Sequence, residues 1–580
     1  MSPAIPVGEK WWKNAIIYQV YPASFKDSNN DGIGDIPGII SALDYIQSLG
    51  VDVIWLSPMY DSPQHDMGYD VADYEKVYPP YGTVEDMEVL ISACHCRGLR
   101  IILDLVVNHT SDQHKWFKES RSSKTNLKRD WYIWKPAKYD ANGNRKPPNN
   151  WRSIFGGSAW EWDEATEEYY LHLFCVEQPD LNWENPDTRR AIFSSAMEFW
   201  LQKGVDGFRV DTVNMYSKHP SFPDAPIVDP KSETQMAASL FCNGPRIHEH
   251  LREMSDVLNK YGAMTVGELA HTHTLDAVLA YVSPSRSQLN MVFQFDVVDL
   301  GMGKDYKFLT TLPGWTLRDF KAAIKGTQDM INSTDGWTTV FMENHDQGRS
   351  ISRFGSDKTP ELRIMSGKML AMMQCTLSGT QFVYQGQEIG MVNAPKHWTI
   401  DEYKDVDSSN YYQMVRENTN GDATQLQNAM ESLQCLARDH ARLPMQWSPE
   451  ANAGFSPSDS ATTWMRVHDN YPEVNVQVQE SDPFSVLSFW KQMMRLRKEY
   501  ADVFVSGNFE LVDEANENVF TYFKKGHTQS VLIVLNFSEA NQKFQKPNVM
   551  VDKDLKVLIS NVEGGLEDEL QPFEGRVFLV

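Results

Sequence analysis

The sequence predicts an α/β protein built on a (β/α)8 TIM barrel, with an inserted subdomain after the third strand and a C-terminal antiparallel β-sheet domain. Three observations lead to this fold class. Short apolar segments alternate eight times with longer helical segments, which is typical of parallel sheets. The connection after the third strand is far longer than an ordinary barrel loop. After a helical stretch at residues 485–499, short segments separated by turns indicate antiparallel strands.

The predicted barrel strands are short and rich in apolar residues. They cover residues 15–21, 51–57, 99–108, 207–212, 264–269, 289–295, 337–343 and 380–384. Helical segments between them include residues 39–48, 84–97, 246–261, 317–331 and 361–375. In such a barrel the active site lies at the carboxyl ends of the strands, so polar residues there are candidates for catalysis.

Four segments follow from these patterns. Residues 1–110 and 186–505 are expected to form the barrel, and residues 111–185 the inserted subdomain. Residues 506–580 are expected to form a β-sandwich-like domain. The insertion is rich in Trp, Asn, Pro and Gly, and an unstructured loop of that length would be uncommon.

Composition excludes several classes of function. The chain of 580 residues carries 54 Lys and Arg against 78 Asp and Glu, a formal charge of −24 that disfavours nucleic acid as a partner. No apolar run approaches a membrane span, and the first residues lack the pattern of a signal peptide. Six scattered cysteines are typical of a reducing compartment. We therefore expect a cytoplasmic protein without a membrane partner and without an organic cofactor.

The segment from Gly207 to Thr212 contains the first candidate for chemistry. On a strand, Arg209 and Asp211 lie on the same side, and a guanidinium beside a carboxylate keeps the carboxylate ionised with a low pKa. An ionised carboxylate can act as a nucleophile. The alternative is a buried ion pair that only fixes the strand.

Two further carboxylates follow predicted strands. Glu268 ends the fifth strand and Asp346 follows the seventh. A pair of carboxylates facing one cleft can share nucleophile and general-acid roles in the cleavage of a glycosidic bond. Asp211 would attack the anomeric carbon. Glu268, expected to have less positive charge nearby, would keep a raised pKa and protonate the leaving oxygen, and Asp346 would hold sugar hydroxyls.

Four motifs together resemble family 13 glycoside hydrolases, the α-amylase group. They cover residues 104–109, 207–211, 267–268 and 344–346 and occur in the order of that family. The resemblance extends over nearly the whole chain to α-glucosidases of the maltase and oligo-1,6-glucosidase type, through residues 178–182 and 444–447. It implies that Asp211 is the nucleophile, Glu268 the acid/base and Asp346 the transition-state stabiliser.

The same resemblance implies a set of glucose-binding residues. His109, Arg209 and His345 would bind the terminal glucose, and Tyr69 would stack against it. A further pair, Asp66 and Arg438, matches residues that close the end of the pocket, which implies exo action. The alternative for that pair is two surface charges.

The loop after the first strand resembles a cation site. Oxygen ligands recur at alternate positions, through the side chains of Asp27, Asn29, Asp31 and Asp35 and the carbonyl of Ile33. Related glucosidases carry a divalent cation at the matching loop, so we expect structural Ca²⁺, with Mg²⁺ as the alternative. The other interpretation is an acidic turn stabilised by hydrogen bonds from its own backbone.

Two positions bear on the linkage that is cleaved. Thr212 and Ala270 resemble the maltase type among fungal relatives, in which isomaltases carry Val and Gln. The predicted function is a monomeric retaining exo-α-glucosidase acting on maltose, sucrose-like disaccharides and short malto-oligosaccharides, with isomaltose tolerated. The alternatives are an α-1,6-preferring isomaltase, a transglucosylating or isomerising enzyme, and a non-catalytic relative associated with transporters.

Overall fold

Eight parallel strands close into a barrel, as the sequence predicts. The computed structural model describes residues 10–304, 306–458, 460–544, 546, 555–564 and 568–580. The first residues, on which the expectation of no signal peptide rests, lie mostly outside this part of the chain. The barrel strands are β1 (Ile16–Val20), β2 (Val53–Leu56), β3 (Arg100–Leu105), β4 (Gly207–Val210), β5 (Met264–Glu268), β6 (Met291–Phe293), β7 (Thr339–Val340) and β8 (Thr380–Tyr384).

The strand order runs β6-β5-β4-β3-β2-β1-β8-β7, and a parallel bridge between Val292 and Thr338 closes the circle. At the fourth strand the closeness of the pairing explains one glycine. A Cβ atom at Gly207 would lie 2.1 Å from the carbonyl oxygen of Met264, so β4 and β5 can pair this tightly only with glycine there.

Alternation along the strands divides the barrel interior into two layers. The lower layer is apolar, with Trp55 packed against Phe293 and Phe382 at ring distances of 5.5 and 6.0 Å. The upper layer is polar and includes Asp104 and Arg209, which are directly paired across β3 and β4. The polar layer lies at the carboxyl ends of the strands, where barrel enzymes have their active sites.

Amphipathic helices cover the outside of the barrel, and their starts are defined by side-chain caps. Thr83 and Asp86 form a capping box at the start of one helix, and Thr316 and Asp319 form another. The longer helices of the chain are Val84–Cys96, Lys115–Ser122, Ile247–Asn259, Leu275–Val282, Leu317–Ser333, Pro360–Thr376, Val406–Asn418, Ala423–Leu436 and Val486–Glu499. Two shorter helices, Ile36–Ser41 and Leu43–Ser48, replace the single predicted one, and Pro186–Ile192 precedes β4.

The long connection after β3 carries a three-stranded antiparallel sheet of Trp134–Lys135, Glu168–Leu171 and Trp160–Asp163. Its apolar residues form a separate cluster around Trp151, Trp160 and Leu171. An antiparallel bridge between His109 and Asp180 joins the two ends of this segment at the top of the barrel. The insertion therefore lies beside the polar layer of the barrel.

The C-terminal segment contains a five-stranded antiparallel sheet. In spatial order its strands are Asn508–Leu511, Val519–Lys525, Ser530–Asn536, Gly575–Leu579 and Lys556–Ser560. Two buried basic side chains connect this end of the chain to the turn before β8. Arg497 donates to the carbonyl oxygens of Cys375, Leu377 and Gly379 at 2.8, 2.8 and 2.5 Å. Lys524 donates to the Ser378 hydroxyl.

Candidate active site

Arg209 is the centre of the candidate site. One of its terminal nitrogens donates to Asp104 at 2.7 Å and to Asp211 at 2.6 Å, and the other donates to Glu268 at 2.7 Å. Arg209, Asp104 and Asp211 are buried, and the side chain of Glu268 is 16% exposed. Strand alternation predicts the contact with Asp211. The contact with Glu268 contradicts the expectation of less positive charge there, because the guanidinium reaches across to β5.

The pKa values of the two carboxyl groups follow burial more than charge pairing. Burial raises the pKa of Glu268 to about 7, although the attraction of Arg209 opposes the change. Burial also raises the pKa of Asp211 to about 6, against the attraction of Arg209. The prediction of a low pKa for Asp211 is therefore wrong. Desolvation outweighs the ion pair because Arg209 is shared among three carboxylates.

Asp346 has the opposite environment. Burial alone would raise its pKa, but His345, Arg438 and Arg442 hold the pKa of Asp346 well below its usual range. The distances from these three side chains to its carboxylate are 3.1, 3.3 and 2.9 Å. Asp346 is therefore ionised throughout the physiological pH range, whereas Glu268 can carry a proton near neutrality.

The end of the pocket is formed by Asp66 and Arg438. A nitrogen of Arg438 lies 2.9 Å from Asp66 Oδ1, and both side chains are at least nine-tenths buried. Gln178 donates to Asp66 Oδ2 at 3.1 Å and lies 3.2 Å from His109 Nε2. Gln178 is not among the predicted site residues, although it lies in the motif at residues 178–182.

Two stacked rings lie at the same end, with Tyr69 in the cavity wall and His345 behind it. The rings of Tyr69 and His345 are nearly parallel, 5° apart, with centroids separated by 5.2 Å. The Tyr69 hydroxyl lies 2.6 Å from His345 Nε2 and donates to Asp104 at 3.1 Å. Burial lowers the pKa values of His345 and His109, so both imidazoles are neutral at physiological pH. His109 lines the cavity, and a neutral imidazole can both donate to and accept from sugar hydroxyls.

Thr212 lies next to the nucleophile candidate in an unusual conformation. Its φ angle is 38°, which is costly for a β-branched residue. This conformation directs its backbone N–H to Glu268 at 3.1 Å and its hydroxyl to Asp211 at 3.3 Å. Ala270 lies two residues after Glu268, and its carbonyl oxygen accepts a hydrogen bond of 2.6 Å from Asn214. Thr212 thus contacts both candidate catalytic carboxylates.

These elements surround a cavity of about 1060 Å³. Nine of the predicted residues line it: Asp66, Tyr69, His109, Asp211, Thr212, Glu268, Ala270, Asp346 and Arg438. Arg209 and His345 lie behind this wall. The predicted list omits other residues that line the cavity, among them Phe155, Phe174, Lys307 and Asp407. Phe155 and Phe174 come from the insertion, Lys307 from the loop after β6 and Asp407 from the helix Val406–Asn418. The sequence pattern does not define how these segments are placed over the barrel.

Contacts between three loops narrow the mouth of the cavity. The guanidinium of Arg152, from the insertion, lies 3.6 Å from the ring centre of Tyr306. Asn410, from the helix Val406–Asn418, donates to the carbonyl of Phe155 at 3.1 Å. The insertion, the loop after β6 and the excursion after β8 therefore all contribute to the entrance.

The five predicted cation ligands lie in a loop that is stabilised by its own backbone. Asp27 accepts from the backbone of Asn29 and Asn30 at 3.0 and 2.7 Å, and Asp31 accepts from Ile33 at 2.9 Å. Asn30 Oδ1 is buried and accepts no hydrogen bond. The oxygen-rich donor set suits Ca²⁺. In the described part of the chain, no three His, Cys, Asp or Glu side chains are grouped to hold a metal.

An ion at this loop would therefore need amide and backbone carbonyl oxygens as ligands. Asp35 also serves the fold, since it accepts from Ser28 at 2.9 Å and caps the next helix through Gly38 at 2.6 Å.

None of the helices in the described residues combines the length and the apolar character that a membrane span requires.

Comparison with known proteins agrees with this geometry. The α-amylase catalytic domain family matches residues 19–507. An α-glucosidase of Candida albicans is 54% identical over 575 residues, covering 98% of this chain and 99% of its own. An oligo-1,6-glucosidase of Saccharomyces cerevisiae is 48% identical over 593 residues, covering 100% of this chain and 99% of its own.

Two solved structures extend the comparison to other activities. An isomaltulose synthase from Protaminobacter rubrum superimposes with a TM-score of 0.90 at 38% identity, covering 98% of this chain and 99% of its own. A trehalose-6-phosphate hydrolase from Bacillus licheniformis has a TM-score of 0.88 at 41% identity with the same coverage.

Proposed function

Because this chain belongs to the α-amylase family and its full-length relatives identify it as an α-glucosidase, we propose that it is a retaining, exo-acting enzyme. Its substrates would be maltose, sucrose-like disaccharides and short malto-oligosaccharides, from which it releases the terminal glucose. The contact of one guanidinium with both Asp211 and Glu268 carries this proposal.

The proposed reaction has two steps. In the first, an oxygen of Asp211 attacks the anomeric carbon while Glu268 protonates the glycosidic oxygen, and the bond between that carbon and oxygen breaks. In the second, Glu268 removes a proton from water, and the water oxygen displaces Asp211 from the anomeric carbon. Two inversions at the same carbon give α-glucose, and Glu268 ends the cycle protonated as it began.

The geometry around Arg209 favours retention over inversion. Retaining enzymes hold their carboxyl groups about 5–5.5 Å apart, whereas inverting enzymes leave about 6.5–9.5 Å for a water. Arg209 donates to Asp211 at 2.6 Å and to Glu268 at 2.7 Å from adjacent nitrogens, and Thr212 contacts both acids. This short bridge supports the closer spacing.

Exo action is supported by the ion pair of Asp66 and Arg438. The pair lies beside Asp346, and Gln178 reinforces it by donating to Asp66. A charged pair that binds the outer hydroxyls of one glucose leaves no path for a longer chain on that side. Substrates longer than a disaccharide would extend toward the mouth between Phe155 and Tyr306.

Three alternatives to this proposal differ from it in the substrate, in the acceptor of the glucosyl group or in the absence of catalysis. A sugar phosphate would meet a lining in which Asp and Glu outnumber Lys and Arg by eight to three, so charge disfavours phosphorylated substrates. An isomerising activity uses the same first step and differs in the acceptor of the glucosyl group. The presence of Asp211, Glu268 and Asp346 around one cavity argues against a non-catalytic role.

We also propose that the enzyme prefers maltose to isomaltose. Thr212 and Ala270 border the cavity next to the two carboxylates, where the second sugar would lie. We also propose a structural Ca²⁺, or Mg²⁺ in its place, at the loop of Asp27 to Asp35. The chain would act as a cytoplasmic monomer on small α-glucosides.

Initial rates and product analysis test this function directly. Purified protein should hydrolyse maltose and sucrose faster than isomaltose, and NMR should detect α-glucose as the first product. Trehalose 6-phosphate should not be hydrolysed. β-Glucose as the first product would overturn retention, and isomaltulose or trehalulose from sucrose would favour the isomerising alternative. Asp211→Asn should lose activity, and the exposed Asp276→Asn provides the matched control.

A further inference from the structure

Asp405 is a buried carboxylate just outside the cavity. It lies 2.6 Å from Arg438 and 3.0 Å from Arg442, and its side chain is 1% exposed. The same two arginines contact Asp346, at 3.3 and 2.9 Å. Each guanidinium therefore bridges Asp346 inside the cavity and Asp405 behind it, and Arg438 also binds Asp66.

Asp405 occupies a position at which an Asp side chain ordinarily caps a helix. It is the N-cap residue of the helix Val406–Asn418, yet its side chain makes no capping hydrogen bond. An Asp at this position ordinarily accepts from the first turn of the helix, which stabilises the helix. Here the carboxylate faces the two arginines instead. Asp439 supports the helix start, since it accepts from the backbone of Asp405 at 2.9 Å and from Ser408 at 2.8 Å.

Charge balance explains what Asp405 contributes. Arg438 and Arg442 bring two positive charges together, and among the described residues their carboxylate partners on the cavity side are Asp66 and Asp346. Lys307 from the loop after β6 adds positive charge nearby, and Asp407 and Asp439 add negative charge. Without Asp405 the two guanidinium groups would repel each other and compete for Asp346. A buried charge that loses its partner is costly, so they would move.

We infer that Asp405 is a positioning residue of the active site, which holds Arg438 and Arg442 so that Asp346 keeps its charge and orientation toward the sugar. This inference rests on the proposed role of Asp346. Asp405 does not touch the substrate. It acts through the arginines, in the way that supporting hydrogen bonds fix the residues that contact a substrate.

Asp405→Asn tests the inference because it keeps the shape of the side chain and removes its charge. We expect kcat/KM for 4-nitrophenyl α-glucoside to fall ~10- to 100-fold, mostly in kcat, since small displacements of a catalytic group have effects of this size. Asp405→Glu, which restores the charge, should recover part of the loss. Asp422→Ala is the matched control, because Asp422 is an N-cap residue whose side chain does cap its helix through Gln425. It should lower Tm and leave kcat unchanged.

A trapping reagent separates positioning from folding. A 5-fluoro-α-glucosyl fluoride transfers its glucosyl group to the nucleophile: the bond from the anomeric carbon to fluorine breaks, fluoride leaves, and an ester forms with Asp211. The amount of adduct counts intact sites. For Asp405→Asn we expect a full count of sites with slow turnover. Loss of activity in proportion to loss of sites would show a merely structural role and overturn the inference, as would unchanged kcat.

A second readout keeps this test independent of the proposed mechanism. Calorimetric binding of 1-deoxynojirimycin, a cationic glucose analogue, reports the contacts that Asp346 makes with sugar hydroxyls. Asp405→Asn should weaken binding by at least ~10-fold. If the unsubstituted enzyme forms no adduct on Asp211, the covalent mechanism fails, but weakened binding still supports Asp405. Unchanged binding overturns the inference in either case.

Discussion

Asp66 and Arg438, which lie 372 positions apart in the chain, form a buried ion pair of 2.9 Å at the end of the cavity. Asp66→Asn should lower kcat/KM for maltose by ~100-fold, because removal of one partner leaves the charge of Arg438 buried without full compensation. The measurement is steady-state kinetics on maltose and maltotriose. Asp61→Asn, a partly exposed neighbour, is the control and should change kcat/KM less than twofold. An Asp66→Asn enzyme with unchanged kinetics would contradict the proposed role of this pair.

The pH dependence of activity follows from the two raised pKa values. Asp211 must be ionised to attack, so activity should fall as the pH drops below about 6. Glu268 must be protonated to act as the acid, so activity should also fall as the pH rises above about 7. We expect a bell-shaped profile of kcat/KM with its maximum between these values. With a substrate whose leaving group needs no proton, the alkaline limb should disappear from the formation of the glucosyl-enzyme.

Glu268 should also affect stability in a pH-dependent way. Its pKa is about 7 in the folded protein against 4.5 in a free side chain, so the unfolded state releases this proton first. The folded state is then destabilised as the pH rises from below 4.5 through 7. Glu268→Gln removes this penalty, and its Tm relative to the unsubstituted protein should rise between pH 5 and pH 8.

The size of that change is ~1–3 kcal/mol, since one pKa unit corresponds to about 1.4 kcal/mol. Thermal melts of both proteins at the two pH values provide the measurement. A difference in Tm that is constant with pH would contradict the raised pKa of Glu268. Glu249→Gln, at an exposed carboxylate paired with Arg246, is a control that should not show the same trend.

Thr212 should influence the choice of linkage. Thr212→Val removes the hydroxyl that donates to Asp211 and makes the wall less polar, so the ratio of kcat/KM for maltose to that for isomaltose should fall. The change should correspond to ~1–3 kcal/mol of discrimination, which gives a preference and not an exclusion. Thr212→Ser keeps the hydroxyl and should retain the ratio. A ratio that stays constant or rises in Thr212→Val would exclude this residue as the selector.

Removal of the proposed cation should lower stability without altering the chemistry. A chelator should reduce the Tm of the unsubstituted protein, because an ion that binds only the folded state stabilises it. Asp31→Ala should reduce Tm in the absence of chelator and abolish the further effect of chelation, with kcat at low temperature unchanged. Asp401→Ala, at an exposed site, should leave the chelator effect intact. A chelator without effect on the unsubstituted protein would contradict the cation proposal.

Much of the fold could be predicted because its signals are local. Each barrel strand is a short apolar segment, and all eight occur within the predicted segments, although the hydrogen-bonded parts are shorter. The predicted seventh strand covers residues 337–343, but the strand itself is Thr339–Val340, with a single bridge at Thr338 before it. The residues that follow turn into the cavity and carry Asp346. The sequence pattern does not distinguish a buried strand from a buried loop of similar composition.

The site could be predicted only in part, because some of its properties depend on contacts between strands. Alternation along β4 is enough to place Arg209 beside Asp211. The bond from Arg209 to Glu268 depends on the register of β4 and β5, which local sequence does not reveal. The raised pKa of Asp211 depends on burial from all sides. Asp405 and Gln178 were missed for the same reason, since their partners are distant in the chain.

Arg497 and Lys524 give the last part of the chain a role in stabilising the barrel, although none of the proposed site residues lies there. Both side chains donate hydrogen bonds to the turn that leads into β8, Arg497 to its carbonyl oxygens and Lys524 to the hydroxyl of Ser378. The strand β8 pairs in turn with β1 and β7. A gene truncated by a stop codon shortly before this region would still encode every proposed catalytic residue. Its product would leave that turn with unpaired groups and the barrel without its final support. We therefore expect a late nonsense mutation to abolish folding of the product as an early one does.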